Sequence, residues 1–591
     1  MSCWAVLRLW RNVVRWLEKR SIQRIGDLLS TSPKSTRMTY SMSKRRFDAV
    51  VLVAVSFGLV NAYEVVSRFG GHLVDLTPCW YLAFSIWVAV RNFIGFTCLP
   101  IAAVYLLGRH SRWLVIPGFF YILLVDVGTV YIDRTYHASL ADEWLPLLLN
   151  TNLEESISFV KLTFTTDFAI GFAILLAVLI VFAKTLWHAV YPSFGCRNVL
   201  KGTCLAGIFA VLICLTMNFH FGIAQMTYSL FALTSIKSWT EGRGIRDACR
   251  SVKLPETLSV DSEVRPDCVI VLGESATRNS WHLYGYSRHT TPRVDQMCGA
   301  DDGGVAFTDI VGIQPVTDRA LALLLTDVSF DDQTIGRWTL AEVYRRAGYR
   351  CVLISHQWGG ESDLSTLYQI FNGCERRLSV RQETKGKEQT FDEDVIPLLE
   401  KELNATEKPS LIFIHLAGMH FPVKDVIPEG EKHFTDEVEG ECICKMSARD
   451  RDRNNRYDDA ILYEDKVLGG MVDVLRKRNR PSCLMFISDH GESPRAKEWR
   501  DYRNHEVYEV PMFIWLSTGY RKLFPNVADA IVAAKDKPAQ TDELSHGLIH
   551  LGLISNLPDW DERKDFLSPS FAGRNPRKID KGRLTYEKRG E

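Results

Sequence analysis

Five apolar runs lie within the first 220 residues, at roughly 48–66, 82–107, 113–132, 166–186 and 202–220. Each is long enough to cross a bilayer as a helix, which takes about 20 residues. No other feature limits the fold as much, because every crossing decides on which side of a membrane the following polar segment must fold. Flanking charge sets the direction. The tail to residue 46 carries eleven Lys or Arg against only Glu18 and Asp27, and the links after the second and fourth runs hold Arg109 and Arg112, and Arg197 and Lys201. The link after the third run instead holds Asp142, Glu143, Glu154 and Glu155. Basic links stay cytoplasmic. The N-terminus is therefore expected inside and residues 221–591 outside.

Within the tail, the opening "WAVLRLWRNVVRWLEKRSIQRIGDLL" mixes apolar and basic residues without a clean apolar core, which predicts an interfacial amphipathic helix and no cleaved signal. Arg91, inside the second run, must snorkel or face other helices. Lys+Arg and Asp+Glu both number 70, so net charge gives no basis for nucleic-acid binding. Cys268, Cys351 and Cys483 sit in apolar runs and read as core residues. Cys249, Cys298, Cys374, Cys442 and Cys444 are the disulfide candidates of an exported domain.

Beyond a linker at 223–262, the composition becomes that of a water-soluble α/β domain, expected over 263–560 and followed by a charged, loosely ordered tail at 561–591. Strand-length apolar runs recur: "DCVIVLGE" (267–274), "RCVLISHQ" (350–357), "SLIFIHLAGMH" (410–420), "CLMFISDHGE" (483–492) and "VPMFIWLS" (510–517). Helical patterns alternate with them at 336–348, 391–403 and 457–478. This alternation predicts a mostly parallel sheet covered by helices on both faces. Open α/β sheets bind ligands beyond the carboxyl ends of their strands. Three of these runs end in groups suited to metal or acid–base work: Glu274, His420, and Asp489 with His490. Two carboxylates and an imidazole are a donor set for zinc (Zn2+). In "GIQPVTDRALALLLTD" (312–327), Thr317 stands at a helix start, either as a simple cap or as a hydroxyl nucleophile aided by the positive helix end. Ser275 and Thr277 are rival nucleophiles, although strand alternation turns Ser275 away from Glu274.

The segments "VIVLGESATRNSWHLYGYSRHTTPRVD" (269–295), "FIHLAGMHFP", "NRYDDAILYEDKVLGGMVDVLRK", "FISDHGES" and "HEVYEVPMFIW" resemble, in order and spacing, the membrane-bound phosphoethanolamine transferases of the alkaline phosphatase and sulfatase superfamily. The resemblance covers about residues 45–555. It implies a five-helix membrane domain over 47–222 and a periplasmic sulfatase-like domain in a bacterial inner membrane. By position it makes Glu274, Asp489 and His490 zinc ligands, and Thr317 both fourth ligand and nucleophile. His420 and His505 match histidines near the transferred phosphate, and Glu492 is the acid after Asp-His-Gly. Thr151 and Glu155 match positions that hold the donor head group, with Leu147 where the family carries asparagine. "HQWGGESD" (356–363) lacks the Cys-Lys of some members.

What the resemblance implies is transfer of phosphoethanolamine from phosphatidylethanolamine, through a phospho-threonine, to lipopolysaccharide (a lipid A phosphate or a core sugar), with release of diacylglycerol. A monomer is expected. The competing readings are glycerol-phosphate transfer, phosphate or sulfate ester hydrolysis, and a catalytically silent membrane scaffold.

Overall fold

The structure, a computed structural model, describes residues 180, 254–299, 302–328, 338–357, 370–387, 389–420, 426–435, 448–496, 504–558, 560–574, 576–579 and 584–586. Apart from Ile180, the five expected spans lie outside these residues, as do the N-terminal amphipathic segment, Thr151, Glu155, Cys249, Cys442 and Cys444. Among the described residues no helix is long and apolar enough to cross a membrane. The chain divides into two compact units, and everything described from residue 254 onward belongs to the second.

That unit is built on a seven-stranded sheet. Its strands are β1 (Asp267–Gly273), β2 (Gly304–Phe307), β3 (Arg350–Ser355), β4 (Arg376–Ser379), β5 (Ser410–His415), β6 (Ser482–Ser488) and β7 (Met512–Leu516), in the spatial order β2-β7-β6-β1-β5-β3-β4. The block from β6 through β4 is parallel, whereas β7 runs antiparallel to both β6 and β2. The sheet is therefore mixed, and the run "VPMFIWLS", expected as one more parallel strand, points the other way. Among the described residues between Ser488 and Met512 the one helical piece is the short 3-10 turn His505–Val507, not the crossover helix that usually accompanies a parallel return.

Side chains alternate across the sheet as the period of two requires. Cys268, Ile270 and Leu272 of β1 face one core, which also takes Leu321, Leu324 and Leu325 of helix α1 (Thr317–Leu325) and Tyr344 of α2 (Leu340–Arg346). Val269 and Val271 face the other, with Leu399 of α3 (Val395–Asn404) and Tyr457, Ile461 and Leu468 of the long α4 (Ala448–Arg478). Both faces are covered, which explains why the strands are apolar throughout. Each fully buried Val, Leu, Ile or Phe here contributes roughly 1.5–3 kcal/mol. Cys268, Cys351 and Cys483 are buried free thiols of this core, and Cys298 and Cys374 are free as well.

The stretch expected as a loose tail departs from that description. Phe566, Leu567 and Phe571 are buried in the first core. Strands β8 (Arg577–Ile579) and β9 (Leu584–Tyr586) then pair as an antiparallel ladder with Ile579 fully buried. Charge along this segment hid the few apolar side chains that dock it.

Candidate metal centre and nucleophile

The carboxyl ends of four adjacent parallel strands, β6, β1, β5 and β3, form one rim, and the candidate residues lie along it. After β1 the chain passes directly into Glu274 and then into Ser275, whose φ of 59° is left-handed and unusual for a residue with a side chain. Neighbours pin this turn. Ser275 N donates to Asp489 Oδ1 (3.0 Å), Ala276 N to Ser488 Oγ (2.9 Å) and Thr277 N to the Tyr457 hydroxyl (2.9 Å). Tyr457 in turn donates to Ser275 O at 2.6 Å. Such over-determination is what sustains a strained residue.

Asp489 and His490 follow β6 in the same way. Together with Glu274 they bring one ligand atom each to within 4.8 Å of one another, and all three are buried. His490 Nε2 lies 3.4 Å from Glu274 Oε1 and 3.5 Å from Asp489 Oδ2. The other ring nitrogen, Nδ1, lies 2.9 Å from Gly491 O. That bond keeps a proton on Nδ1, so that Nε2, once it gives up its own proton, turns a lone pair toward the carboxylates. Gly491 has no room for a side chain, since a Cβ there would stand 2.6 Å from Glu506 O and 3.2 Å from Thr277 Cα.

The electrostatics ask for a cation. Burial and the neighbouring Glu274 charge push Asp489 up to about 7. Burial disfavours the His490 imidazolium, yet Asp489, Glu274 and Glu492 together drive it up to about 10. Burial also opposes ionisation of Glu274, but the hydrogen bond and charge of His490 hold that carboxyl well below its usual range. Asp489 Oδ2 is buried without a hydrogen-bond partner. An orphaned carboxylate oxygen, a second carboxylate and an imidazole Nε2 turned toward both fit, at these separations, a divalent ion of the zinc type, which takes N and O donors and displaces the ring proton.

Thr317 is the first residue of α1, behind an N-cap position filled by Val316, which has no capping group. The hydroxyl is therefore not spent as a cap. It donates to Glu274 Oε2 at 3.0 Å, and it also lies close enough to Asp489 to favour that carboxylate's charge. The rival hydroxyls behave differently from expectation and from each other. Ser275 Oγ donates to Glu274 Oε1 at 2.8 Å, because Ser275 lies past the strand end, where alternation no longer governs direction. Thr277 Oγ1 instead donates to Glu506 O at 3.1 Å.

His420 lies five residues past β5, in a turn closed by its own N–H on Ala417 O (2.9 Å), and its charge adds to the depression of Glu274. His505 opens a short 3-10 turn, His505–Val507, that is tied to the rim by Gly491 N on Val507 O at 2.7 Å. Glu492 is buried beside Gly491.

Three contributors escaped the sequence reading. Gln357, just beyond β3, donates from Nε2 to Glu274 Oε2 (3.0 Å) and to Leu416 O (2.7 Å). Asp392 accepts from Ala417 N and Gly418 N, both at 2.8 Å, and is paired with His356 at 2.7 Å. Tyr457 locks the Ser275 turn. A polar residue two positions past a buried strand marks Gln357; nothing local marks the other two.

Residues 266–552, which hold most of this fold and rim, match the model of the sulfatase family. The chain is 26% identical over 315 residues to the phosphoethanolamine transferase EptC of Escherichia coli strain K12, covering 51% of this chain and 53% of EptC. It thus spans about half the length of that relative. Across a longer stretch it is 22% identical over 460 residues to the phosphatidylethanolamine transferase Mcr-2 of Escherichia coli, covering 71% of this chain and 82% of Mcr-2. Among solved structures, the integral membrane lipooligosaccharide phosphoethanolamine transferase A of Neisseria meningitidis shares the fold with a TM-score of 0.62 at 18% identity, over 88% of this chain and 97% of that one.

Proposed function

We propose that this protein transfers phosphoethanolamine from phosphatidylethanolamine to a lipopolysaccharide acceptor, a lipid A phosphate or a core sugar, by way of Thr317. The observation that carries the reading is the convergence of the Thr317 hydroxyl with Glu274, Asp489 and His490 at one buried rim. Zinc bound by those three side chains and Thr317 would lower the pKa of the threonine hydroxyl and offset charge on the phosphoryl oxygens.

The Thr317 oxygen forms a bond to phosphorus, and the bond from phosphorus to the lipid glycerol oxygen breaks. The hydroxyl proton ends on that glycerol oxygen, which departs as diacylglycerol. An acceptor oxygen then bonds to phosphorus, the phosphorus–threonine bond breaks, and the acceptor's proton restores the hydroxyl. Dividing the transfer this way replaces one difficult displacement by two easier ones. The unpaired N–H groups at the start of α1 favour both the alkoxide and the phosphate ester. His420 and His505 carry protons to and from the entering and leaving oxygens. Glu492 takes part in binding the substrate. Thr151 and Glu155 hold the ethanolamine ammonium, a role suited to a carboxylate.

The five apolar runs make the protein a multi-pass inner-membrane protein with its catalytic domain in the periplasm, which keeps the rim near a donor that cannot leave the bilayer. The full-length membrane neighbour of like fold supports this arrangement.

The test supplies purified protein with head-group-labelled phosphatidylethanolamine and no acceptor. Peptide mass analysis is expected to find a phosphoethanolamine adduct on Thr317, and Thr317→Ala is expected to lose transfer by about a thousandfold or more. An adduct that persists in Thr317→Ala, or that sits on Ser275, overturns the nucleophile assignment. Label released only to water favours a hydrolase.

A further inference from the structure

We propose that the C-terminal hairpin is a positioning element of the active site, acting through Tyr586 on His505; this rests on the proton-carrying role given to His505 above. The hairpin lies outside residues 266–552, the stretch that matches the family model. It is nevertheless fastened at both strands to segments that lead into the site.

On β8, the Arg577 guanidinium makes a two-pronged contact with the Asp309 carboxylate, Nη1 to Oδ1 at 2.6 Å and Nη2 to Oδ2 at 3.1 Å, and is almost fully buried. The Gln540 amide brackets Lys578, donating to its O (2.7 Å) and accepting from its N (3.4 Å), as a neighbouring strand would. On β9, the Tyr586 hydroxyl donates to Glu509 Oε1 at 2.7 Å and accepts from Arg278 Nη2 at 3.0 Å. Arg577 covers one face of the Tyr586 ring at 4.6 Å. The His505 ring lies 5.5 Å from Tyr586, tilted by 40°.

These anchors join the two segments that the reaction needs in register. Asp309 precedes the short strand Ile310–Val311 that runs toward Thr317, and Arg278 also donates to Thr308 O (3.1 Å) and Ile310 O (3.2 Å). Glu509 closes the segment that starts at His505, and Asn279 holds its other oxygen. Tyr586 therefore stands where the nucleophile segment, the segment leading from the Ser275 turn to Arg278 and the His505 segment meet. With Arg577 behind its ring and Glu509 and Arg278 on its hydroxyl, it is fixed. It presents a rigid wall that limits the rotamers open to His505. A proton carrier held in one orientation avoids searching for it at each turnover, and misplacing such a group by about 1 Å can cost about a hundredfold.

The experiment uses the full-length protein in vesicles containing labelled phosphatidylethanolamine and acceptor, and compares Tyr586→Leu, Tyr586→Phe, His505→Ala and the double variant Tyr586→Leu/His505→Ala. Leucine fills most of the buried volume without offering a ring, and phenylalanine keeps the ring. Tyr586→Leu is expected to lower kcat about 10- to 100-fold, with KM for the donor within about twofold. Tyr586→Phe is expected to recover most of that loss. In the His505→Ala background the leucine change is expected to cost nothing further, because a residue that acts through His505 has no effect once His505 is gone. Losses that multiply in the double variant, or a Tyr586→Leu protein with normal kcat, overturn the proposal. If His505→Ala transfers normally, the role given to His505 fails and the inference falls with it, while a Thr317 adduct in that variant leaves the transferase reading standing. Should Tyr586→Leu not fold, the Tyr586→Phe and His505→Ala pair still decides: a Tyr586→Phe defect as large as that of His505→Ala is inconsistent with a role for the ring.

Discussion

Gly418 offers the sharpest test of how the rim is built. It lies between β5 and His420 with φ of +48°, and a Cβ placed on it would stand 2.8 Å from Glu274 O, 2.9 Å from Glu274 N and 3.1 Å from Glu274 Cβ. Two of those atoms are backbone at the end of a central strand and cannot rotate aside. Gly418→Ala therefore carries two costs. Holding an alanine in the left-handed region costs about 1–2 kcal/mol, and forcing extra volume against fixed atoms costs roughly 1–3 kcal/mol. The sum, about 2–5 kcal/mol, corresponds to a fall in melting temperature on the order of 5–15 °C. A useful control is Gly386, with φ of +102° and nothing within 4 Å of its Cβ position, where alanine incurs the backbone cost alone. Differential scanning fluorimetry of both variants, with zinc content by mass spectrometry, separates the terms. Gly418→Ala is expected to melt well below Gly386→Ala and to bind zinc more weakly, since Glu274 must shift to relieve the contact. Equal melting and equal zinc content in the two variants would refute the close-approach argument.

Gln357→Leu removes the amide that orients Glu274 from outside the ligand set, and is expected to weaken zinc about 10- to 100-fold in competition with a chromogenic chelator. Metal uptake should also depend on pH with a definite sign. In the metal-free protein His490 is pushed up to about 10 and Asp489 to about 7, so binding near neutrality must displace the His490 proton. Affinity is then expected to rise about tenfold per pH unit between about 7 and 10 and more steeply below 7, where Asp489 is protonated too. A flat affinity from pH 7 to 9, or no proton release in weakly buffered solution, would contradict this.

The convergence of the candidate residues on one rim was legible because it depends on strand ends. Buried parallel strands must be apolar along their length, so the first acid or imidazole after such a run marks an exit point, and Glu274, Asp489 and His490 stand at such exits. Strand direction was less legible: β7 carries the same apolar signature as its parallel neighbours, and the one hint of the reversal is that no helical pattern separates it from the run before. The direction expected for Ser275 fails because alternation does not extend two residues beyond β1, into a turn whose left-handed backbone is set by Asp489, Ser488 and Tyr457, all distant along the chain. Asp392 and Tyr457 act through backbone contacts that leave no local pattern. The hairpin at 577–586 was hidden by its charge, since its docking relies on Arg577 meeting a buried aspartate more than on an apolar run.

The pairing of β1 with β6 places Gly273 opposite Ser488, one residue before the candidate ligands Glu274 and Asp489. Neighbouring strands stand about 4.8 Å apart, so the gap between the two carboxylate-bearing turns is inherited from the backbone ladder and hardly from the side chains. Any ion seated there is measured against that fixed rung length. One that wants longer bonds must be met by side-chain rotation, because widening the cage would mean unzipping the centre of the sheet.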